Sequence, residues 1–355
     1  MTDDLSGLVP PRPPRRSTPS GRVSMAMVAG RAGVSGQTVS RVVNDSPRVD
    51  PATRARVEQA MAELGYRPHR AARALRTGRS QMLGIVATTL ATIGNSRMLQ
   101  AAAEAADRRG YTLMVVTASS DVADAFARLQ DQGVDGAIVL NEASALTHAA
   151  DLPAGLRLVL VDAAAEEGFR GVRSDHAGGA VAATEHLLRL GHATVHHVAG
   201  PADSFAAVER ERGWRAALTA AGAEVPRVAR GDWSSESGHA AAALLEGATA
   251  VFVANDQMAL GLIRGFADRG RAVPDDVSVV GFDDVPDAAN YRPPLTTIQQ
   301  DFTVLAEAAV STLIADIEGG GAVEGGGSVH TTATTASDPR LVATRLIERL
   351  STKRA

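Results

Sequence analysis

Cysteine is absent from all 355 residues of this chain. Disulfide bonds and thiolate metal sites are therefore excluded. No apolar run is long enough to span a membrane, and residues 1–22 lack the apolar core of a secretion signal. We therefore expect a cytoplasmic protein that has no membrane partner.

The motifs of several common enzyme classes are missing as well. The chain has no G-x-G-x-x-G after an apolar strand, no P-loop and no H-E-x-x-H. Its four histidines between residues 186 and 197 lack the helical spacing of zinc ligands, so we interpret them as ordinary loop and strand residues. Adjacent carboxylates such as Asp283 and Asp284 should point to opposite faces of a strand end. We expect no enzymatic activity, no cofactor and no metal.

Lysine is almost absent, since Lys353 is the only one, and the position of charge is therefore more informative than the choice of arginine. Residues 12–80 carry fourteen arginines and four acidic residues, a net charge of +10. Because the whole chain carries −4, the remainder carries −14. A basic front on an acidic body is typical of proteins that bind nucleic acids.

The chain is too long for one compact domain, and 45% hydrophobic residues can fill more than one core. Residues 1–22 are rich in Pro, Arg and Ser, which predicts a disordered basic arm. The arm is either an unstructured leader, a product of a misplaced start codon, or a segment that touches the DNA backbone. Behind it we expect a small helical domain and a larger bilobed one.

Residues 23–68 have the pattern of a small helical domain. The predicted elements are a helix over Met27–Ala32, a turn at Gly33, a second helix over Gln37–Val43 capped by Ser35, and a third helix from Asp50-Pro51 to about Gly65. Seven apolar side chains are expected to form its core: Val28, Val34, Val39, Val42, Val57, Met61 and Leu64.

Two helices around a glycine-bearing turn, within a basic region, are typical of a helix-turn-helix that reads DNA. The early positions of the second helix, Gly36, Gln37 and Arg41, are the candidate base readers. Gln37 suits adenine and Arg41 suits guanine. The short polar side chains suited to phosphates are Ser35, Thr38, Ser40 and Asn44. The alternative is a plain helical hairpin, which is common.

Residues 69–80 form a basic segment with one large apolar side chain. Leu75 lies among Arg70, Arg73 and Arg76. A large apolar residue in a basic helix suits a wedge that enters the minor groove and kinks DNA. We predict a hinge helix and linker here, with Arg73, Leu75 and Arg76 at the minor groove.

From Met82 onward, short apolar runs rich in β-branched residues alternate with amphipathic helical stretches. This alternation predicts an α/β fold of parallel sheets covered on both faces. We expect two doubly wound lobes over 81–318. Lobe one should comprise 81–174 with 302–318, and lobe two 175–301. A Gly/Thr-rich linker over 319–338 and a short helix over 339–355 should follow.

Several predicted strands end in an amide or a carboxylate: Asn141, Asp162, Asn255-Asp256 and Asp283-Asp284. In open parallel sheets, ligands bind beyond the carboxyl ends of the strands. Such groups can both donate to and accept from a ligand with many hydroxyls. Arg210 and Trp233 would add a bidentate donor and a flat face. The alternative is that each Asn or Asp serves as a turn former or a helix cap.

The chain resembles the lactose repressor family of bacterial transcription factors over nearly its whole length. The segments that carry the resemblance are GVSGQTVSRVVN, MAELGYRP, VANDQMALG, VSVVGFDD and PPLTTIQQDF. It implies a homo-oligomer, with a dimer favoured and a tetramer uncertain, whose hinge helices insert Leu75 into a palindromic operator. It also implies a bilobed effector core like that of periplasmic sugar-binding proteins.

The same resemblance implies an effector site. Its residues would be Thr88, Asn141, Asp162, Ser204, Arg210, Trp233, Asn255, Asp283 and Phe302. Six of these also follow from the strand-end argument, whereas Thr88, Ser204 and Phe302 rest on the resemblance alone. The Trp, Arg and Phe together indicate a galactoside-like ligand rather than a purine.

This chain departs from the family pattern at several positions that face the ligand or the DNA. Gly36 replaces a large aromatic residue at a base-reading position, so the operator should differ there. The ligand side differs at Ala206, Arg173, Thr92, Gly94 and Asn95, which leaves the sugar undetermined. Our hypothesis is a repressor that a small sugar releases from its operator. The alternative is a sugar-binding module or sugar-processing enzyme without a DNA role.

Overall fold

The structure is a computed structural model that describes residues 23–44, 46–66, 78–118, 122–141, 156–164, 169–319 and 339–355. The predicted arm over 1–22, the hinge residues Arg73, Leu75 and Arg76, and nearly all of the predicted linker over 319–338 lie outside these ranges. The chain divides into two compact units, one up to Gly78 and one from Arg79 onward.

The described part of the first unit contains three helices: α1 Met25–Ala32, α2 Gly36–Val43 and α3 Pro51–Leu64. Each begins at a side chain that accepts a hydrogen bond from the first turn, because the first backbone N–H groups of a helix have no partner within it. Ser24 accepts from Met27 N at 3.3 Å, Ser35 from Thr38 N at 3.1 Å, and Asp50 from Ala52 N at 2.9 Å.

The core of this unit contains the seven apolar side chains that the sequence indicated. Val28, Val39 and Val57 are completely buried, and Val42 is nearly so. The other three, Val34, Met61 and Leu64, pack around them. The predicted helices are confirmed, with boundaries that differ by two residues or fewer.

The second unit contains two six-stranded sheets flanked by helices. Its strands are β1 Met82–Ala87, β2 Thr112–Thr117, β3 Gly136–Leu140, β4 Arg157–Val161, β5 Arg170–Ser174, β6 His196–Ala199, β7 Ala229–Arg230, β8 Ala250–Val253, β9 Ser278–Asp283, β10 Thr296–Gln299, β11 Arg340–Val342 and β12 Arg345–Ile347. Its helices are α4 Ile93–Asp107, α5 Val122–Asp131, α6 His176–Arg189, α7 Phe205–Ala220, α8 Ser235–Ala241, α9 Asp256–Ala267 and α10 Phe302–Gly319. Short 3₁₀ turns span Ala242–Leu244 and Pro286–Asn290.

Lobe one contains the sheet with strand order β11-β5-β4-β3-β1-β2, in which every pairing is parallel. Alternate side chains of β1 point to opposite faces. Leu83 and Ile85 join the cluster formed with α4 and α10, whereas Val86 joins Phe126 of α5 on the other face. Apolar cover on both faces is the physical reason for the near-continuous apolar strands.

Lobe two contains the sheet with order β12-β10-β9-β8-β6-β7. It is parallel except for β12, which runs antiparallel to β10. Along β8, Val251 joins the α9 cluster and Phe252 joins Trp214 of α7 on the opposite face. The predicted α/β class with two doubly wound sheets is confirmed. No helix among the described residues is long and apolar enough to cross a membrane.

The chain crosses between the two sheets three times. The crossings lie between β5 and α6, between β10 and α10, and between β11 and β12. Consequently α10 packs on lobe one although it follows a strand of lobe two. Residues at these crossings lie where the two sheets face each other.

The helix predicted over 339–355 is wrong. These residues instead form β11 on lobe one and β12 on lobe two. Beyond β12, Val279 N donates to the carbonyl of Ser351 at 2.8 Å, and Ala355 N donates to that of Leu190 at 3.0 Å. The spacing of Val342, Leu346 and Leu350 imitates a helix, but so short a helix is marginal in water. Two open sheet edges offer backbone partners instead.

We expect Ser351→Ala to lower the free energy of unfolding by about 1–3 kcal/mol. Ser351 is fully buried. Its hydroxyl accepts a hydrogen bond from Thr296 N at 2.8 Å and donates one to the carbonyl of Val279 at 2.6 Å. Without it, the Thr296 N–H loses its partner. Urea unfolding measures the effect, and Ser311→Ala, which removes a hydroxyl bonded within α10, is the control. Equal midpoints for both variants would contradict the two hydrogen bonds assigned to Ser351.

Candidate ligand cleft and DNA-reading helix

A cleft of about 550 Å³ lies where the two sheets of the second unit face each other. Seven of the nine effector-site residues line it: Asn141, Asp162, Arg210, Trp233, Asn255, Asp283 and Phe302. The other two do not. Thr88 is half-buried just beyond β1, and buried Ser204 caps α7 by accepting from Ala207 N at 3.5 Å. For Ser204 the structure supplies a helix-capping role.

The strand-end residues of the cleft share an unusual backbone conformation. Asn141, Asp162, Trp233 and Asp283 have φ of 43°, 51°, 74° and 114°. They are four of the six residues other than glycine with positive φ among the described residues. Asn and Asp tolerate this region, but for Trp it is costly, on the order of 1–3 kcal/mol. Strain of this kind concentrates at functional sites, because the surrounding fold must impose it.

The lobe-two wall is built around Arg210 and Asp283, both almost completely buried. Arg210 Nη2 lies 3.5 Å from Asp283 Oδ1, which also accepts from Gln300 Nε2 at 2.6 Å. Burial raises the pKa of Asp283, and the Arg210 charge works against that rise. The Arg210 guanidinium also lies 3.8 Å above the Phe282 ring and donates to the carbonyl of Ala254. Its cationic charge is therefore neutralised before a ligand arrives.

Asp256, behind Asp283, is a structural residue. It is fully buried and accepts from Thr297 Oγ1 at 2.5 Å and from Val285 N at 2.9 Å. Burial, reinforced by the neighbouring Asp283 charge, raises its pKa well above the usual value. These bonds tie the start of α9 to β10 and to the segment after β9, which fixes the position of Asp283.

Asn141, Asn95 and Asp162 form the lobe-one wall, and His176 at the start of α6 lies against Asp162. Asn141 Nδ2 donates to Asn95 Oδ1, and Asn95 Nδ2 donates to the carbonyl of Thr89 at 3.0 Å. Asp162 Oδ1 accepts from Ser174 N at 2.8 Å and lies 3.0 Å from His176 Nε2. The wall thus presents amide and carboxylate groups whose orientation is fixed from behind.

Two aromatic side chains complete the cleft. The Trp233 ring lies 5.5 Å from the Arg210 guanidinium carbon, and the Phe302 ring lies 4.9 Å from that of Arg97. Asn255 Nδ2 donates to the Trp233 carbonyl at 3.1 Å, and Asn255 Oδ1 caps α9 by accepting from Met258 N at 2.9 Å. Asn255 is therefore a helix cap and a cleft-lining residue at once.

Gly200 is required for the position of Trp233. A Cβ at this glycine would lie 2.4 Å from the indole ring. We expect Gly200→Ala to displace the indole and to weaken ligand binding roughly fivefold to tenfold, the value of one aromatic contact. Titration by tryptophan fluorescence measures the change. Gly247→Ala, where a Cβ meets nothing within 4 Å, is the control, and equal affinity of the two variants would refute the requirement.

The strand-end argument missed His176 and Gln300, both of which line the cleft. Gln300 directly follows β10, so the same argument could have found it. His176 begins α6 one residue after the crossing from β5, which no sequence pattern marks. Of the positions where the chain departs from the family pattern, Thr92, Gly94, Asn95 and Ala206 line the cleft. Arg173 does not, and its guanidinium lies 5.6 Å from the Phe205 ring.

On the first unit, α2 presents the candidate base readers to solvent. Gly36, Gln37 and Arg41 are exposed, while Val39 and Val42 on the opposite face are buried. Gln37 and Arg41 are four residues apart and therefore share one helix face.

Several candidate phosphate-contacting side chains of α2 already form hydrogen bonds within the protein, unlike the exposed base readers. Ser35 Oγ caps the helix and lies 3.0 Å from Thr38 Oγ1. Asn44 Nδ2 donates to the carbonyl of Ser40 at 2.6 Å. These short side chains shape the ends of α2 as well as its polar surface.

Comparison with known proteins matches both units. Residues 24–69 match "Bacterial regulatory proteins, lacI family", and residues 184–352 match "Periplasmic binding protein-like domain". The lactose operon repressor of Escherichia coli (strain K12) is 37% identical over 317 residues, which cover 85% of this chain and 87% of the repressor.

Two solved structures resemble the whole chain. One is a lac repressor dimer bound to operator and the anti-inducer ONPF, with a TM-score of 0.79, 35% identity, and coverage of 94% of this chain and 100% of that one. The other is a CelR–cellobiose complex, with a TM-score of 0.68, 33% identity, and coverage of 93% and 100%. These relatives are transcriptional regulators rather than enzymes. The chain belongs to the LacI family of bacterial regulatory proteins.

Proposed function

We propose that this protein is a cytoplasmic transcriptional repressor that holds a palindromic operator as a homodimer and releases it when a neutral saccharide binds in the cleft. The observation that carries the proposal is the cleft itself. It combines amide and carboxylate groups on both walls with two aromatic rings and an arginine that a carboxylate already pairs. Few ligands other than a polyhydroxylated ring match all three features.

Charge argues for a neutral ligand. Among the described residues, the ionisable groups that line the cleft are Asp162, His176, Arg210 and Asp283. Because Arg210 lies against Asp283, an anionic ligand gains no uncompensated cation and meets a second carboxylate at Asp162. Sugar hydroxyls both donate and accept, so each can pair with a carboxylate and an amide at once.

The aromatic rings and the small residues of the cleft further restrict the class of ligand that it can bind. Trp233 and Phe302 offer flat faces for the apolar side of a sugar ring. Thr92 and Gly94, small residues at the start of α4, also line the cleft. We propose a galactoside or a similar saccharide such as cellobiose. The effector-binding residues are the seven predicted residues that line the cleft, with Thr88 and Ser204 supporting them from outside.

On the DNA side, we propose that Gln37 and Arg41 read bases while Ser35, Thr38, Ser40 and Asn44 contact phosphates. Gly36 has no side chain, so the base pair beneath it is read differently from the family pattern. Leu75, with Arg73 and Arg76, would supply the minor-groove wedge of the hinge.

Ligand binding can reach the DNA only through a difference in affinity between two states of the protein. Two hydrogen bonds join α4 of lobe one to lobe two. Arg97 Nη1 donates to the carbonyl of Asp284 at 3.2 Å, and Ile93 N donates to Gln257 Oε1 at 3.4 Å. A saccharide bound between the lobes would favour the lobe arrangement that allows both these hydrogen bonds and the contacts of the saccharide with each lobe.

The test uses the full-length protein. Operator duplexes are selected from a random DNA library, and affinity is then measured with lactose, other galactosides, cellobiose and glucose. We expect a salt-sensitive, sequence-selective complex whose affinity falls in at least one saccharide. A protein that binds a saccharide but shifts no DNA would instead be a sugar-binding module, and DNA binding that no sugar changes would refute the proposed effector class.

A further inference from the structure

We propose that His176 is a ligand-binding residue that selects for one free hydroxyl of the saccharide, with its Nε2–H donating to an oxygen whose own hydrogen is accepted by Asp162. This inference rests on the proposed saccharide effector and adds a contact that the strand-end argument and the family resemblance did not assign. It starts from a buried histidine that lines the cleft and is 2% exposed.

The first step is the protonation pattern of the ring. Arg210 Nε and Nη2 each lie 3.4 Å from His176 Nδ1. A guanidinium can only donate, so Nδ1 accepts and carries no hydrogen. The neutral ring therefore has its hydrogen on Nε2.

The second step is the direction of that hydrogen. His176 Nε2 is buried and has no hydrogen-bond partner among the described protein groups. Asp162 Oδ1 is only 3.0 Å away, but it does not lie along the ring N–H, so the two groups are in contact without a hydrogen bond. A buried donor without a partner is unfavourable, because it has lost its hydrogen bond to water. A ligand oxygen in the cleft would recover that free energy.

The third step is the fixed position of the ring. His176 lies edge-on to Phe205 with centroids 6.4 Å apart, and its centroid lies 6.1 Å from that of Phe282. The ring cannot turn away without losing these contacts and the Arg210 bond. The His176 donor and the Asp162 acceptor lie close enough together to bind the same hydroxyl group. An O-methyl group or a deoxy carbon would leave one or both of these protein groups without a hydrogen bond, so the site should reject such analogues.

His176 also occupies a position where the two walls meet. It follows the crossing from β5 of lobe one to α6 of lobe two. The His176 ring contacts Asp162 of lobe one through Nε2 and accepts from Arg210 through Nδ1. Arg210 in turn lies against Asp283 of lobe two. A hydroxyl bound at this point therefore contacts both halves of the cleft.

The test compares two substitutions with a matched control. His176→Leu removes both nitrogens, whereas His176→Gln retains a donor and an acceptor. The control is His197→Leu, which changes a fully buried histidine stacked on Phe252 and Trp214 outside the cleft. Lactose and cellobiose affinities are measured by titration, with operator binding in the absence of sugar as the check on folding.

We expect His176→Leu to weaken saccharide binding at least about tenfold, the value of a hydrogen bond to a charged or buried group. His176→Gln should stay within about threefold of the parent protein, and His197→Leu should bind sugar as the parent does. Equal binding by His176→Leu and the parent would overturn the inference and leave the proposed effector class intact. A loss in His176→Gln as large as in His176→Leu would also overturn it, because packing alone would then explain the effect.

Monodeoxy derivatives of methyl β-galactoside and methyl β-glucoside locate the hydroxyl. In the parent protein, one derivative should bind at least about tenfold more weakly than its parent sugar. In His176→Leu the same deletion should cost much less. Equal costs in both proteins for every derivative would show that Nε2 contacts no hydroxyl. If the parent protein binds none of these saccharides, the proposed function fails and this assignment fails with it.

Discussion

Trp233→Ala is expected to leave operator binding unchanged and to abolish release by saccharide at the lowest concentrations that release the parent protein. The substitution removes the largest apolar face of the cleft, whose loss should cost about 2–3 kcal/mol of ligand affinity. That corresponds to a dissociation constant roughly 30- to 150-fold higher.

The chain has one other tryptophan, which supplies the control. Trp214 is fully buried in lobe two, and its Nε1 donates to the carbonyl of Val195 at 2.8 Å. Trp214→Phe should lower stability but retain release by sugar, because Trp214 lies outside the cleft. Release of the Trp233→Ala protein at ordinary saccharide concentrations would show that Trp233 has no role in the site. Operator gel shifts with increasing sugar measure both variants.

Arg41→Ala is expected to weaken binding to the selected operator by about 1–3 kcal/mol and to relax specificity at one base pair of each half-site. The loss corresponds to roughly 5- to 150-fold in affinity for each contact. The physical reason is that an exposed guanidinium on α2 can pair with both acceptors on the edge of a guanine. Saccharide binding should not change, since Arg41 belongs to the other compact unit.

Arg31→Ala separates base reading from general loss of charge. Arg31 on α1 is also exposed, but its guanidinium forms an ion pair with Glu63. Its removal should weaken binding less, and to a similar degree for all sequences. Competition between operator variants at several salt concentrations measures the difference. If Arg41→Ala weakened all sequences equally, Arg41 would be a phosphate contact rather than a base reader.

The sequence predicted the fold class because two periodicities are written directly in it. Residues alternating between the two faces of β1, such as Ile85 and Val86, are all apolar, which only a sheet covered on both faces requires. In the first unit, Val39 and Val42 have helical spacing and are buried. Local patterns of this kind survive folding unchanged.

The sequence also predicted several residues of the cleft lining, through one rule. Parallel strands have their carboxyl ends at the same edge, so Asn141 and Asp162, which follow neighbouring strands, were expected to meet. The structure places both in the cleft lining. The interpretation of Asn255 as a helix cap was also correct, because Oδ1 caps α9 while the residue lines the cleft. The two interpretations do not exclude each other.

What the sequence by itself determined about this protein is therefore its class, the exposed face of α2 and the polar edge of two parallel sheets, since each depends on neighbours along the chain. Only the tertiary structure decided the rest. Residues 340–342 and 345–347 became strands because open edges far away in sequence offered them backbone partners. Ser204 became a cap, and His176 came to lie between Asp162 and Arg210, because three crossings bring distant residues together. Contacts of that kind join residues that are distant in sequence. They depend on the path of the whole chain, so no local sequence pattern can predict them.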